Sequence, residues 1–117
     1  MKFKDKTVVV TGSRRGIGLG IALEFAKLGA NVVLNGTREI DAETLAQFDA
    51  YPGEVMTFVG DVSKFDVAEN FINEVKERFG RIDVLVNNAG ITRDGLLMRM
   101  SESDFDDVMN INLKGYF

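Results

Sequence analysis

The sequence predicts an α/β fold, a doubly wound parallel sheet with its strands in the order 3-2-1-4. Short β-branched runs alternate along the chain with stretches whose apolar residues recur at helical spacing. The first such run also meets a glycine cluster, Thr11-Gly12-x-x-x-Gly16-x-Gly18. Strand–helix alternation with right-handed crossovers leaves few other ways to stack these elements.

Thr7 to Thr11 is a continuous β-branched run, as expected for a strand covered on both faces. Behind Gly16, the residues Ile17, Ile21, Phe25 and Leu28, with Ala22 and Ala26 beside them, mark one face of a helix that Gly29 ends. Asn31 to Asn35 forms a second strand, and Asp41 to about Tyr51 a helix that Pro52-Gly53 breaks. "EVMTFVG" is a third strand, leading to Asp61. Ser63 and Asp66 form a capping box before a helix marked by Val67, Phe71, Val75 and Phe79, which stops at Gly80. "IDVLVNN" is a fourth strand, and Ser101 with Asp104 repeats the capping pattern before a last helix that runs to Phe117. In this layout strand four lies unpaired at an edge where doubly wound folds add further strands. Residues 1–117 therefore read as the N-terminal part of one nucleotide-binding domain.

Composition narrows the function. The chain has 117 residues, 45% hydrophobic and 27% charged, an ordinary globular balance. A net charge of −4 without a long basic run argues against a nucleic-acid partner. No apolar run approaches the length of about twenty that a membrane helix needs. The absence of cysteine excludes disulfides and thiol chemistry and fits a cytoplasmic setting. The absence of histidine excludes a Ser-His-Asp triad and a His-containing zinc site, and no metal site is expected.

The glycine cluster carries the chemistry. Gly12 permits a sharp turn out of the strand, Gly18 close packing of the helix on the sheet, and Gly16 close approach of backbone to a ligand. The helix N-terminus behind them favours an anion such as a dinucleotide pyrophosphate. Turn punctuation is the bland alternative, since the spacing departs from G-x-G-x-x-G. An NAD site wants an acid about 20 residues past the first glycine to hold the ribose 2′-hydroxyl. Here the second strand ends in Asn35, Gly36 and Thr37. With no acid at that tip, Arg14 or Arg15 could reach across to a 2′-phosphate, which favours NADP(H). Taken singly, either arginine could equally be a solvated loop charge.

At the end of the fourth strand stands "NNAG", Asn87 to Gly90, beside the expected ligand crevice. Asp61 is placed either to meet an adenine edge or to serve as a helix-entry acid. Asn112 falls on the apolar face of the expected last helix, with Phe105 and Tyr116, as a satisfied structural amide or as part of a site.

"TGSRRGIG", Asp61-Val62, "VNNAG" and "F-x-x-V-x-x-I-N-L", in this order along the whole chain, resemble the short-chain dehydrogenase/reductase family. "NNAGITRDGLLMRM" looks closest to its bacterial 3-oxoacyl-[acyl carrier protein] reductases. The resemblance implies a Rossmann-type NADP(H) enzyme acting on a small-molecule or carrier-protein-bound acyl substrate, and a homo-oligomer when full length. It places the cofactor loop on Gly12, Ser13, Arg14 and Arg15, with Gly16, Ile17 and Gly18 behind, and the second-strand contact on Thr37; Asn35, at the same strand tip, is a further cofactor-binding candidate. It puts the adenine contact on Asp61 and Val62, and the nicotinamide-side ribose contact on Asn88, Ala89 and Gly90. The family's active-site asparagine falls on Asn112, where it would help organise a proton-relay water. The family's serine and its Tyr-x-x-x-Lys pair have no counterpart here: Val55 follows Tyr51 by four positions, and Tyr116 is next to last.

Overall fold

The computed structural model describes residues 2–88 and the backbone of residues 109–112. Its elements are β1 (Thr7–Val10), α1 (Gly16–Lys27), β2 (Asn31–Gly36), α2 (Ala42–Ala46), β3 (Val55–Val59), α3 (Phe65–Phe79), β4 (Val84–Asn87) and β5 (Met109–Asn112). The strands are parallel and ordered β3-β2-β1-β4-β5. The expected 3-2-1-4 arrangement is present within it, and β1 is central because its side chains are buried at every position.

Period-two alternation along these strands feeds separate cores on the two faces of the sheet. Val9, Val33, Met56, Phe58 and Leu85 face α3, where they pack against Phe71, Ile72 and Val75. Val8, Val10, Val32, Leu34, Val84 and Val86 face the other way, onto Ala22 and Ala26 of α1 and onto Phe48. Each buried Val, Leu or Phe side chain contributes about 1.5–3 kcal/mol of transfer free energy. The register aligns Val8 with Val32 on one side and with Val84 on the other. The strands therefore end within two residues of one another, and their carboxyl tips form one shelf.

The structure corrects several local expectations. The buried stripe of α1 is Gly18, Ala22 and Ala26, whereas Ile17 and Leu28 are exposed by 52% and 38%. The sheet accepts α1 along its smallest residues, which lets helix and strands come close. Regular helix in α2 stops at Ala46, and residues 47–51 continue as tighter turns, with Phe48 N–H bonding Leu45 O and Tyr51 N–H bonding Phe48 O. The Ser63–Asp66 capping box does not form. Ser63 donates both its N–H and its hydroxyl to Asp61 Oδ1, and Lys64 takes the N-cap position of α3 with no side-chain bond.

Met109–Asn112 is a strand paired with β4, where a helix was expected. Met-Asn-Ile-Asn alternates with the period of a strand, and β4 offers an open parallel edge beside it. Strand four is thus covered. The remainder of the expected last helix, including Ser101 and Asp104, lies outside the described residues.

Candidate nucleotide-binding crevice

The carboxyl tips of β1, β2 and β3 and the start of α1 enclose a crevice of about 440 Å³, walled by Gly12, Arg14 and Arg15, by Asn35 to Arg38, and by Gly60 to Ser63. Its floor is the turn from β1 into α1. Gly12 and Gly16 hold φ of +61° and +64°, a conformation that only glycine adopts at little cost. Gly18 meets a different demand: a Cβ there would lie 2.4 Å from Gly12 O and 2.7 Å from Asn88 Nδ2. The exposed N-terminus of α1 therefore sits directly behind a tight turn with bare backbone at Gly12 and Gly16. That arrangement suits a diphosphate, whose charge the unpaired N–H groups and the helix dipole stabilise.

Polar side chains buried around the turn fix its shape. The Thr11 hydroxyl accepts from Asn88 N–H at 2.9 Å and lies 3.3 Å from Asn87 Oδ1, while Asn88 Nδ2 donates to Gly12 O at 3.0 Å. These contacts moor the turn to β4. On the other flank, Ser13 N–H donates to Asn35 O at 2.7 Å, and Ser13 Oγ accepts from Asn35 N–H at 2.9 Å while donating to Val10 O at 2.7 Å. Ser13 is fully buried, so its side chain serves the loop from inside. Asn35, 2% exposed, likewise spends its amide on protein partners.

The second wall bears positive charge. Arg14 is half-buried and lies across the tip of β2, its Nε donating to Glu39 O at 3.2 Å. Gly36 eases this crossing, because a Cβ there would press on Arg14, at 3.0 Å from its Cβ and 3.2 Å from its Cδ. Arg15, Thr37 and Arg38 are exposed around the same opening. Opposite them, Asp61 stands at the β3 tip with one carboxylate oxygen engaged by Ser63, and Val62 is buried. Ile17 is exposed at the first turn of α1.

The structure thus brings Gly12, Arg14, Arg15, Asn35, Thr37, Asp61 and Val62 to one crevice, with Ser13, Gly16 and Gly18 shaping its floor and Asn88 mooring it. Ala89 and Gly90 lie outside the described residues. Asn112 has only its backbone described, opposite Asn87 in the β4–β5 register, so its expected place on a helix face is replaced by a place on a strand. Sequence reading missed Arg38, a further cation at the β2 tip, and the dependence of Arg14 on Gly36. The signal for Arg38 lay in "NGTRE", where it stands two residues past Gly36 at the tip already read as lacking an acid.

Comparison with known proteins agrees with this geometry. The family profile described as short chain dehydrogenase matches residues 6–117. A 3-oxoacyl-[acyl-carrier-protein] reductase of Staphylococcus epidermidis is 45% identical over 115 residues, which cover 97% of this chain and 47% of that protein. The corresponding Thermotoga maritima reductase is 42% identical over 118 residues, covering 100% of this chain and 48% of its own length. The chain thus spans about half the length of these relatives. Among solved structures, a Brucella melitensis 3-oxoacyl-[acyl-carrier protein] reductase in complex with NAD aligns with a TM-score of 0.67 and 36% identity, over 73% of this chain and 33% of that one. A metagenomic short-chain oxidoreductase in complex with NADP aligns at 0.64 and 37%, over 74% of this chain and 39% of that one. No helix among the described residues is long and apolar enough to cross a membrane.

Proposed function

The chain belongs to the short-chain dehydrogenases, and on that premise we propose that it is the cofactor-binding half of an NADPH-dependent 3-oxoacyl-[acyl carrier protein] reductase. The observation that carries the cofactor choice is Arg14 laid over Gly36, at the tip where an NAD-type site would hold an acid. A 2′-phosphate at that tip would meet Arg14, Arg15 and Arg38, and would find no carboxylate on Gly36 or Thr37 to repel it. The residues fit the rest of the dinucleotide as well. The Gly12–Gly16 turn and the α1 N-terminus would take the pyrophosphate, Thr37 would meet the adenosine ribose, and Asp61 and Val62 would meet the adenine. Asn88, Ala89 and Gly90 would meet the nicotinamide-side ribose.

When bound, the reduced nicotinamide supplies the hydride that turns the 3-oxo group into a 3-hydroxyl. What this chain would contribute is position: the glycine turn and the N-terminus of α1 would hold the diphosphate. Asn112 would hold a water in the path that delivers the proton to the carbonyl oxygen. That assignment rests on the "F-x-x-V-x-x-I-N-L" motif. The family's serine and its Tyr-x-x-x-Lys pair, in which the lysine lowers the phenol's pKa for proton donation, are not among these 117 residues. The acyl carrier protein as substrate carrier, assembly into a homo-oligomer and a cytoplasmic setting follow from the same reading of the whole protein.

Equilibrium titration with NADPH, followed by an assay on an acetoacetyl thioester, tests the proposal. The 117 residues are expected to bind NADPH at micromolar levels and to oxidise none of it. Absence of binding would overturn the cofactor assignment, and turnover would overturn the division of labour.

A further inference from the structure

Asn35 occupies an unusual position among the crevice residues, because every hydrogen-bonding group of its side chain has a partner on a different segment. Its Oδ1 accepts from Gly12 N–H at 3.1 Å, in the turn that follows β1. Its Nδ2 donates to Phe58 O at 3.1 Å and to Gly60 O at 3.2 Å, at the end of β3. Its backbone N–H and C=O both bond Ser13. The bonds to Gly60 O and Gly12 N–H join the two walls on which the adenosine half of a dinucleotide would rest, and do so from the strand between them.

We infer that Asn35 is a positioning residue for the adenosine half of the cofactor, acting by clamping the Gly12–Ser13 turn to the Gly60–Asp61 tip. The inference rests on the cofactor assignment above. A carboxamide serves here: the site needs an acceptor toward Gly12 and a donor with two hydrogens toward β3, which aspartate, serine and threonine cannot supply together. Without the clamp, Gly60 would be held at its carbonyl by nothing on the β2 side chain, and Asp61 next to it would lose its fixed distance from the turn. Gly60 N–H still bonds Gly36 O at 2.9 Å, so the strand pair itself would survive.

The same strand pair offers a matched control. At the opposite end of β2, Asn31 Oδ1 accepts from Glu54 N–H at 2.9 Å, a side-chain bond of the same kind and remote from the crevice. Calorimetric titration of the chain with 2′,5′-ADP, the adenosine half alone, separates positioning from general support of the fold. Asn35→Ala is expected to raise the Kd for 2′,5′-ADP by about tenfold or more, whereas Asn31→Ala leaves it within about twofold of the unaltered chain. Asn35→Asp, which keeps the acceptor and loses the donor, is expected to weaken binding as Asn35→Ala does.

A folded Asn35 variant with unchanged affinity would overturn the inference, as would equal weakening by Asn31→Ala. Hydrogen exchange on the unaltered, cofactor-free chain gives a readout that needs no variant: the Gly12 amide is expected to be protected, and exchange at the rate of an open loop would contradict the clamp. Failure of the unaltered chain to bind 2′,5′-ADP would instead strike the cofactor assignment, with the Gly12 protection still deciding the clamp.

Discussion

At the carboxyl end of the sheet, polar side chains are buried around the glycine turn and shape an opening; at the amino end, an arginine and an aspartate pair with each other. Thr11, Ser13, Asn35, Asn87 and Asn88 bond one another and the backbone around the glycine turn, while Arg14, Arg15 and Arg38 stand beside it with no ion pair to an acidic side chain among the described residues. At the other end, Arg81 donates to both oxygens of Asp83, whose Oδ2 also accepts from Thr7 N–H at 2.8 Å. Gly53 packs so tightly there that a Cβ would lie 2.0 Å from Ala30 O. The two ends share a sheet and a polar vocabulary, and differ in that Arg81 is ion-paired with Asp83 whereas Arg14, Arg15 and Arg38 are in no ion pair among the described residues. Where the cation is paired, the contact contributes to stability. Where it is not, an anion can do so.

The comparison breaks most severely at Gly18. Gly18→Val would drive its side chain into Gly12 O and Asn88 Nδ2, closing the turn. Binding of NADPH and NADH should both fall by about a hundredfold or more on titration, equivalent to about 2.8 kcal/mol. Retained binding would return the glycines to turn punctuation.

Gly36→Asp attacks the open end more selectively. The new Cβ displaces Arg14, and the carboxylate repels a 2′-phosphate while accepting from a ribose hydroxyl. Affinity for NADPH should fall by about tenfold or more while that for NADH holds or rises, as read from paired titrations.

The closed end predicts a change in stability alone. Burial pushes the Asp83 carboxyl up, but the Arg81 guanidinium, Thr7 N–H and the charge of Lys6 outweigh it and hold the group below the usual carboxylate range. A folded-state value below the unfolded one means stability that is fully present above about pH 4 and lost as pH falls through the depressed value. Asp83→Asn should therefore cost about 1.5 kcal/mol at neutral pH and flatten the acid limb of a stability–pH curve, with cofactor affinity untouched. The smallest expected effect is at Thr7, whose buried hydroxyl has no hydrogen-bond partner among the described residues. Thr7→Val should leave stability unchanged or raise it by less than about 1 kcal/mol in thermal unfolding.

How far these ends were legible in the sequence follows from the range of the interactions. The strands were readable because β-branched runs and period-two burial are local. The glycine turn was readable because positive φ and close approach leave a residue-type signature. The stripe of α1 misled, since size suggested Ile17 and Leu28 where the sheet takes Gly18, Ala22 and Ala26. The segment 109–112 misled for a related reason: Phe105, Val108 and Met109 fit a helical spacing, while pairing with β4 depends on a strand far away in sequence. Asn35 could not be read as a clamp, because its partners come from two other segments, the turn after β1 and the end of β3, that meet only after folding. Arg14 was foreseen as a charge near the β2 tip, but the room that Gly36 makes for it is a tertiary fact.

The central claim, that the open end reads a 2′-phosphate with arginine, is tested most directly by one ratio. The affinities for NADPH and NADH are measured on the unaltered chain and on the Arg14→Ala/Arg15→Ala double variant. The account predicts that the unaltered chain prefers NADPH by about tenfold or more and that the double variant loses most of this preference through NADPH alone. Equal weakening of both cofactors, or no preference in the unaltered chain, would contradict it.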